Sequence, residues 1–230
     1  MSAILIIGPS GSGKSTSIRN LDPKKTMVFS TLGKGLPFKG SKKNYTVFNK
    51  ESNPKGNLII TSSSKAICQW IKHVDNNMPE ITSLVVDDNT FVTAKELDRR
   101  RDEKSFEKFN DIAHEFLVIS EIANTVRPDL NVYFLHHTRI DGDGLLENKT
   151  QRALSFGKLI EDKLASVEAQ FEIVLLACKI TTESGEIEYK FKTRDVDSTA
   201  KAPIGMFDEV YIDNDLALIN ERIKEYYEEE

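Results

Sequence analysis

Apolar residues in this chain fall into short unbroken runs, most of them closed by a polar residue. Residues 3–7, 26–30, 58–61, 81–86, 131–135 and 171–178 are such runs, the signature of strands buried on both faces of a parallel sheet. Between them apolar positions recur at steps of three and four, which predicts helices. Ile67 and Trp70 mark one over residues 65–74, with serines 62–64 to cap it. Phe109, Ile112, Phe116, Ile119 and Ala123 mark a longer one over 105–126, stopped by Pro128. Shorter helices are expected over 14–20, from Phe91 onward, over 158–166, and over 215–227 at the end. Residues 186–193 alternate and are joined to the 171–178 run through Glu183-Ser-Gly-Glu186, an antiparallel hairpin.

Strands alternating with helices in this order predict an α/β fold of three layers. The sheet is mostly parallel, with the antiparallel hairpin at its C-terminal end. One domain over 1–230 accommodates everything. Within it, residues 31–57 read as a loop-rich insertion holding a short strand at 45–48. Residues 138–156 read as a mobile loop with two glycines in quick succession.

The first run carries the chemistry. It breaks at Gly8 and reopens at Lys14, and from Gly8 to Ser15 the spacing is G-x-x-x-x-G-K-S, the phosphate-binding P-loop. Gly8, Gly11 and Gly13 let the backbone approach a ligand closely. The N–H groups of Ser10-Gly11-Ser12-Gly13, which follow Pro9, and of the helix start up to Thr16 can converge on a polyphosphate. Proline itself contributes shape and no donor. Lys14 can reach the outer phosphates, and the Ser15 hydroxyl can sit on Mg²⁺. A strand before and a helix after are the context this motif requires. The chain therefore reads as a nucleotide-binding protein.

The run at 81–86 ends in Asp87 and Asp88, the form of a Walker B element. Asp87 is the choice for the metal, and Asp88 for orienting an attacking water as general base. The run at 131–135 ends in His136 and His137. Side chains alternate along a strand, so one of the two is expected to face the nucleotide. The tips of the first strand and of the Asp87 strand are expected to lie side by side.

Charge narrows the partners only a little. The chain has 31 Lys and Arg against 36 Asp and Glu, a net −5, which speaks against a globally basic nucleic-acid binder. Local basic stretches remain, and the acid is concentrated in the tail 225–230. Cys68 and Cys178 stand far apart with no metal spacing and read as reduced core residues of a cytoplasmic protein. No apolar run approaches a membrane span, and the first strand begins too early to leave room for a leader.

Two lineages share the P-loop. Gly8-Pro-Ser-Gly-Ser-Gly-Lys-Ser-Thr16 resembles that of guanylate kinases, but the Arg- and Pro-rich nucleobase segment expected next is missing from residues 22–45. Over the whole chain the order of elements resembles the RecA-like core. Asn20-Leu-Asp-Pro, Gly35-Leu-Pro-Phe, Lys42-Lys-Asn-Tyr45, Leu135-His-His-Thr138 and Pro203-Ile-Gly-Met-Phe-Asp208 look like phage-encoded ATPases of the Sak-type single-strand-annealing group. That resemblance implies ATP and Mg²⁺ as cofactors, single-stranded DNA as partner, a homo-oligomeric ring or filament, and the host cytoplasm as location.

It also implies roles. His137 matches a sensor of the γ-phosphate. Arg99, Arg100 and Arg101, and the loop residues Arg139, Lys149 and Arg152, fall where such proteins contact DNA. Lys192, Arg194 and Lys201 fall where they reach into a neighbouring subunit's site. The chain departs from the pattern in having no acidic residue over 26–36, where RecA-like enzymes usually carry a catalytic Glu. Either Asp88 takes that duty, or hydrolysis is slow and the protein is an ATP-gated binder. The expected function is ATP binding and hydrolysis in phage recombination or replication. The alternatives are a nucleotide-kinase-type phosphotransferase and a non-hydrolysing switch akin to a helicase loader.

Overall fold

The first run forms β1 (Ala3–Gly8), with all six residues buried, in a computed structural model that describes residues 3–141, 150–154 and 166–228. A strand with no exposed face belongs in the middle of a covered parallel sheet. That is where β1 lies, parallel to β5 (Asn131–Asp141) on one side and to β7 (Ile173–Thr181) on the other. Beyond β5 come β4 (Ser83–Asp87), β2 (Thr26–Ser30) and the edge strand β3 (Leu58–Ile60), all parallel. Beyond β7 the pairing turns antiparallel through β8 (Ile187–Lys192) and β9 (Tyr211–Asp213). The fold is thus mixed α/β, with a mostly parallel central sheet and antiparallel strands at one side.

Each face of the sheet has its own core. Ala3, Leu5 and Ile7 of β1 face the first, beneath α2 (Ser64–Asn77), α3 (Thr90–Arg99) and α4 (Glu107–Ala123). Ile4 and Ile6 face the second, beneath α5 (Leu216–Glu228) and the 3₁₀ helix Ser15–Asn20. Ser63 caps α2 by accepting from the amide of Ala66. The core is built from the runs that the pattern singled out, with Ile67 fully buried and Trp70 packed against the margin. Cys68 and Cys178 are both free and half-buried. Among the described residues no helix is long and apolar enough to cross a membrane.

Several expectations change. The helix after the P-loop is 3₁₀ rather than α. Ser17 Oγ donates to the Lys14 carbonyl at 2.5 Å, and Ser17 N is shared between the carbonyls of Gly13 and Lys14. Hydroxyls that compete for the backbone in this way tighten the turn. The strand expected at 45–48 is a single bridge, Val47 to Leu58, preceded by one helical turn, α1 (Ser41–Asn44). The mobile loop expected over 138–156 is in part an ordered arm. β5 runs on to Asp141 and pairs antiparallel with β6 (Thr150–Ala153). Residues 142–149 and most of the expected helix 158–166 lie outside the described residues. β9 has no counterpart in the sequence pattern, and residues 225–228 of the acidic tail are the last turn of α5.

Candidate nucleotide site

The strand tips set the geometry. β1 and β4 are not neighbours, contrary to the expectation, because β5 runs between them. Their tips still meet across it. Ser15 Oγ donates to Asp87 Oδ1 at 2.6 Å, joining the P-loop to the end of β4. Lys14, Ser15, Asp87, Asp88 and His137 all line one cleft of about 890 Å³ at the carboxyl ends of the strands.

The loop itself needs its glycines. Gly11 and Gly13 have φ of +75° and +93°, the left-handed region that favours glycine. A Cβ on Gly8 would meet the Ala177 carbonyl oxygen at 2.7 Å, so β1 and β7 can lie this close only without a side chain there. Lys14 Nζ folds back to donate to the carbonyls of Gly8 at 2.7 Å and Pro9 at 3.0 Å. Burial lowers its pKa to about 8, against the opposing pull of Asp88 and Asp87. Burial likewise raises the Asp87 carboxyl to about 6, although the Ser15 hydroxyl bond opposes it. A buried cation and a buried carboxylate thus line one cleft, and no ion pair joins them among the described residues.

Asp88 is the only described non-glycine residue with positive φ, at +57°. Consecutive side chains on a strand point to opposite faces, so two adjacent carboxylates reach one cleft only if the backbone turns between them. The left-handed residue makes that turn, at a cost of about 1–3 kcal/mol that the surroundings must hold. Thr31 does the holding: its hydroxyl lies 2.9 Å from the Asp88 carbonyl oxygen and 3.1 Å from that of Asp87. His137 Nε2 stands 3.3 Å from Asp88 Oδ1 and, with the cations nearby, keeps that carboxyl below its ordinary pKa.

The two histidines divide as alternation requires. His137 is level with Gly8 and faces the cleft, its ring edge-on to Phe91. His136 points into the first core at 1% exposure, where burial drops its pKa to about 4 and keeps it neutral. Its Nε2 donates to the Leu154 carbonyl at 2.7 Å, and the Asn89 amide lies 3.2 Å from Nδ1. Leu154 N in turn donates to the His137 carbonyl at 2.7 Å. His136 is structural.

The basic residues singled out for other duties lie away from the cleft and are largely engaged. Arg99 contacts Glu96 at 2.6 Å and Ser62 at 2.5 Å. Arg100 contacts Glu103 at 2.9 Å and Asp111 at 2.8 Å, and Arg101 lies 3.8 Å from both Asp98 and Asp102. On the β5–β6 arm, Arg139 pairs with Asp141 at 2.9 Å, and Arg152 lies 3.6 Å from the same residue. Lys149 lies outside the described residues. Lys192 binds Asp195 at 2.7 Å and rests over the Tyr211 ring. Arg194 donates to the carbonyls of Phe207 and Asp208, closing its own loop. Lys201 pairs its backbone with Val174 near the start of β7 and exposes its side chain.

Sequence reasoning passed over Thr31, Phe91 and Tyr189; the last two line the cleft, as does Lys34, the first of the lysines between 34 and 55 that could face nucleotide, DNA or water. Tyr189 was within reach, since alternation puts it on the face of Phe191; Thr31 and Phe91 have no local signal. Metal fits the donors present. Mg²⁺ takes hard oxygen ligands, one or two carboxylates completed by phosphate and water, and Ser15 with Asp87 offers that set. No cluster of three or more His, Cys, Asp or Glu suited to a metal occurs among the described residues. No family model matches this chain, and no curated protein matches it either.

Proposed function

We propose that the chain is a RecA-like P-loop ATPase whose Mg·ATP site is the cleft at the tips of β1, β4 and β5. The observation that carries this is the unpaired juxtaposition of Lys14 and Asp87. Burying two opposite charges apart is costly, and the arrangement makes sense when a ligand brings an anion for one and a cation for the other. A polyphosphate with its magnesium is such a ligand.

Mg²⁺ held by Ser15 and Asp87 would supply charge neutralisation to the phosphates. The residues of the chain do the rest. The loop amides and Lys14 hold the phosphates and offset the charge that develops as water attacks the γ-phosphorus in line. The bond to the bridging oxygen breaks as the new one forms. Ser15 and Asp87 hold the metal. Asp88, with its carboxyl held low by His137, is a weak base, so it orients the water more than it deprotonates it. That same weakness favours a second reading, a slow hydrolase that works mainly as an ATP-gated binder.

Handling of single-stranded DNA and assembly into a ring or filament rest on the whole-chain resemblance. Filter binding to labelled single-stranded DNA over a salt series, with and without ATP, tests that half: a steep slope that needs ATP supports it. The enzymatic half is tested by Lys14→Ala, which abolishes turnover; undiminished turnover overturns the site. A single-turnover measurement separates the two readings, since a gated binder holds ATP for many minutes without cleaving it. Transfer of phosphate to a nucleoside monophosphate would move the assignment to a kinase.

A further inference from the structure

We propose that Lys179 is a second phosphate-binding cation of this cleft, supplied by β7 of the same chain and aimed by Tyr189. The proposal deepens the nucleotide reading and rests on it.

The β7–β8 hairpin pairs Lys179 directly with Tyr189. The two side chains leave the sheet on one face, and the Lys179 ammonium lies over the Tyr189 ring, 5.5 Å from its centre. That face leans on the P-loop. A Cβ on Gly13 would meet Tyr189 Cδ1 at 2.7 Å, and a Cβ on Gly11 would stand 3.8 Å from Lys179 Nζ. The glycines therefore do two things: they permit the left-handed turns, and they let the hairpin close over the loop. The ammonium comes to rest beside a glycine backbone of the kind whose amides can converge on an anion.

The other lysines of the hairpin show why this one differs. Lys190 binds Asp213 at 2.7 Å and Glu188 at 3.1 Å, and Lys192 binds Asp195 at 2.7 Å. Both have their counter-charge on the opposite face of the hairpin. Among the described residues Lys179 forms no ion pair. Its neighbours are an aromatic face and the glycine loop, so the described residues leave its charge to be met by a ligand. An aromatic face orients an ammonium without neutralising it. The chemical class that meets a loop of amides, Lys14 and a free ammonium together is a polyphosphate.

The test is calorimetric binding of Mg·ATP and Mg·ADP to the full chain, with melting temperature as the check on folding. Lys179→Ala is expected to weaken ATP about tenfold, the worth of one charge-assisted hydrogen bond. Lys179→Arg, which keeps the charge, is expected to recover most of that loss. Lys190→Ala, on the opposite face, leaves affinity unchanged. A loss confined to ATP assigns Lys179 to the γ-phosphate, and an equal loss for ADP assigns it to the β-phosphate. Wild-type affinity in Lys179→Ala, beside a Lys14→Ala chain that has lost binding, overturns the role of Lys179 alone. A wild-type chain that binds neither nucleotide overturns the cleft and the inference together.

Discussion

The P-loop cleft and the arginine stretches are both rich in charge, yet they treat it in opposite ways. In the cleft, Lys14 and Asp87 are held near one another without an ion pair, both at the cost of burial, and Lys179 stands beside the loop over the Tyr189 ring. Around Arg99 to Arg101 and on the arm at Arg139, guanidinium groups already meet carboxylates of their own chain. On the proposed reading, the first region holds interactions in reserve for a ligand. The second has spent them on itself, and a phosphate backbone would have to displace Asp or Glu to bind there. Unpaired charge kept at a cost in stability is the better guide to a site than the number of charges.

The largest expected effect lies in the cleft. Lys14→Ala should cut ATP turnover by about a hundredfold or more while leaving the fold intact, read by steady-state phosphate release. Next is Asp88→Asn, expected to lower kcat by about a hundredfold with nucleotide affinity nearly unchanged, because it acts on the water and not on the phosphates. If binding falls as much as kcat, Asp88 is a ligand instead.

Asp87 gives a prediction in stability. Its pKa is raised in the folded chain, so the folded state holds the proton more tightly than the unfolded one. The ionised carboxylate therefore costs stability above pH about 6, and that cost fades as pH falls from 6 toward 4. Metal-free protein should gain stability over this interval from this group. Asp87→Asn should raise the stability of the metal-free chain at pH 7.5 by about 2 kcal/mol and flatten this part of the profile, measured by denaturant unfolding. It should at the same time remove the magnesium dependence of nucleotide affinity. The smallest effect is expected from the other region: joint replacement of Arg99, Arg100 and Arg101 by Ala should change single-stranded DNA affinity by less than about threefold, since exposed paired charges contribute little. A large loss would erase the contrast between the two regions.

What could be read from the chain alone was what is local. The P-loop, the acidic tip of β4 and the division of labour between His136 and His137 follow from spacing and strand alternation. The order of strands does not, because nothing in residues 131–137 says that they lie between β1 and β4 rather than outside them. The turn at Asp88 is equally hidden, since Asp at a strand end suits a left-handed residue and an ordinary turn alike. Residues 138–141 and 150–153 look like loop because a strand that leaves the sheet has no core to face, so the apolar pattern lapses at Thr138 while the ladder hydrogen bonds continue. The meeting of Lys179 with the P-loop depends on β7 lying beside β1, which is a fact of tertiary pairing.

The arm made by β5 and β6 has no hinge at its root. β5 passes from the sheet into it without a break, and Leu154 clasps its base on both sides, accepting from the ring of His136 and donating to the carbonyl of His137. A displacement of the Asp141–Thr150 pair is therefore carried along β5 to the strand tip beside Gly8.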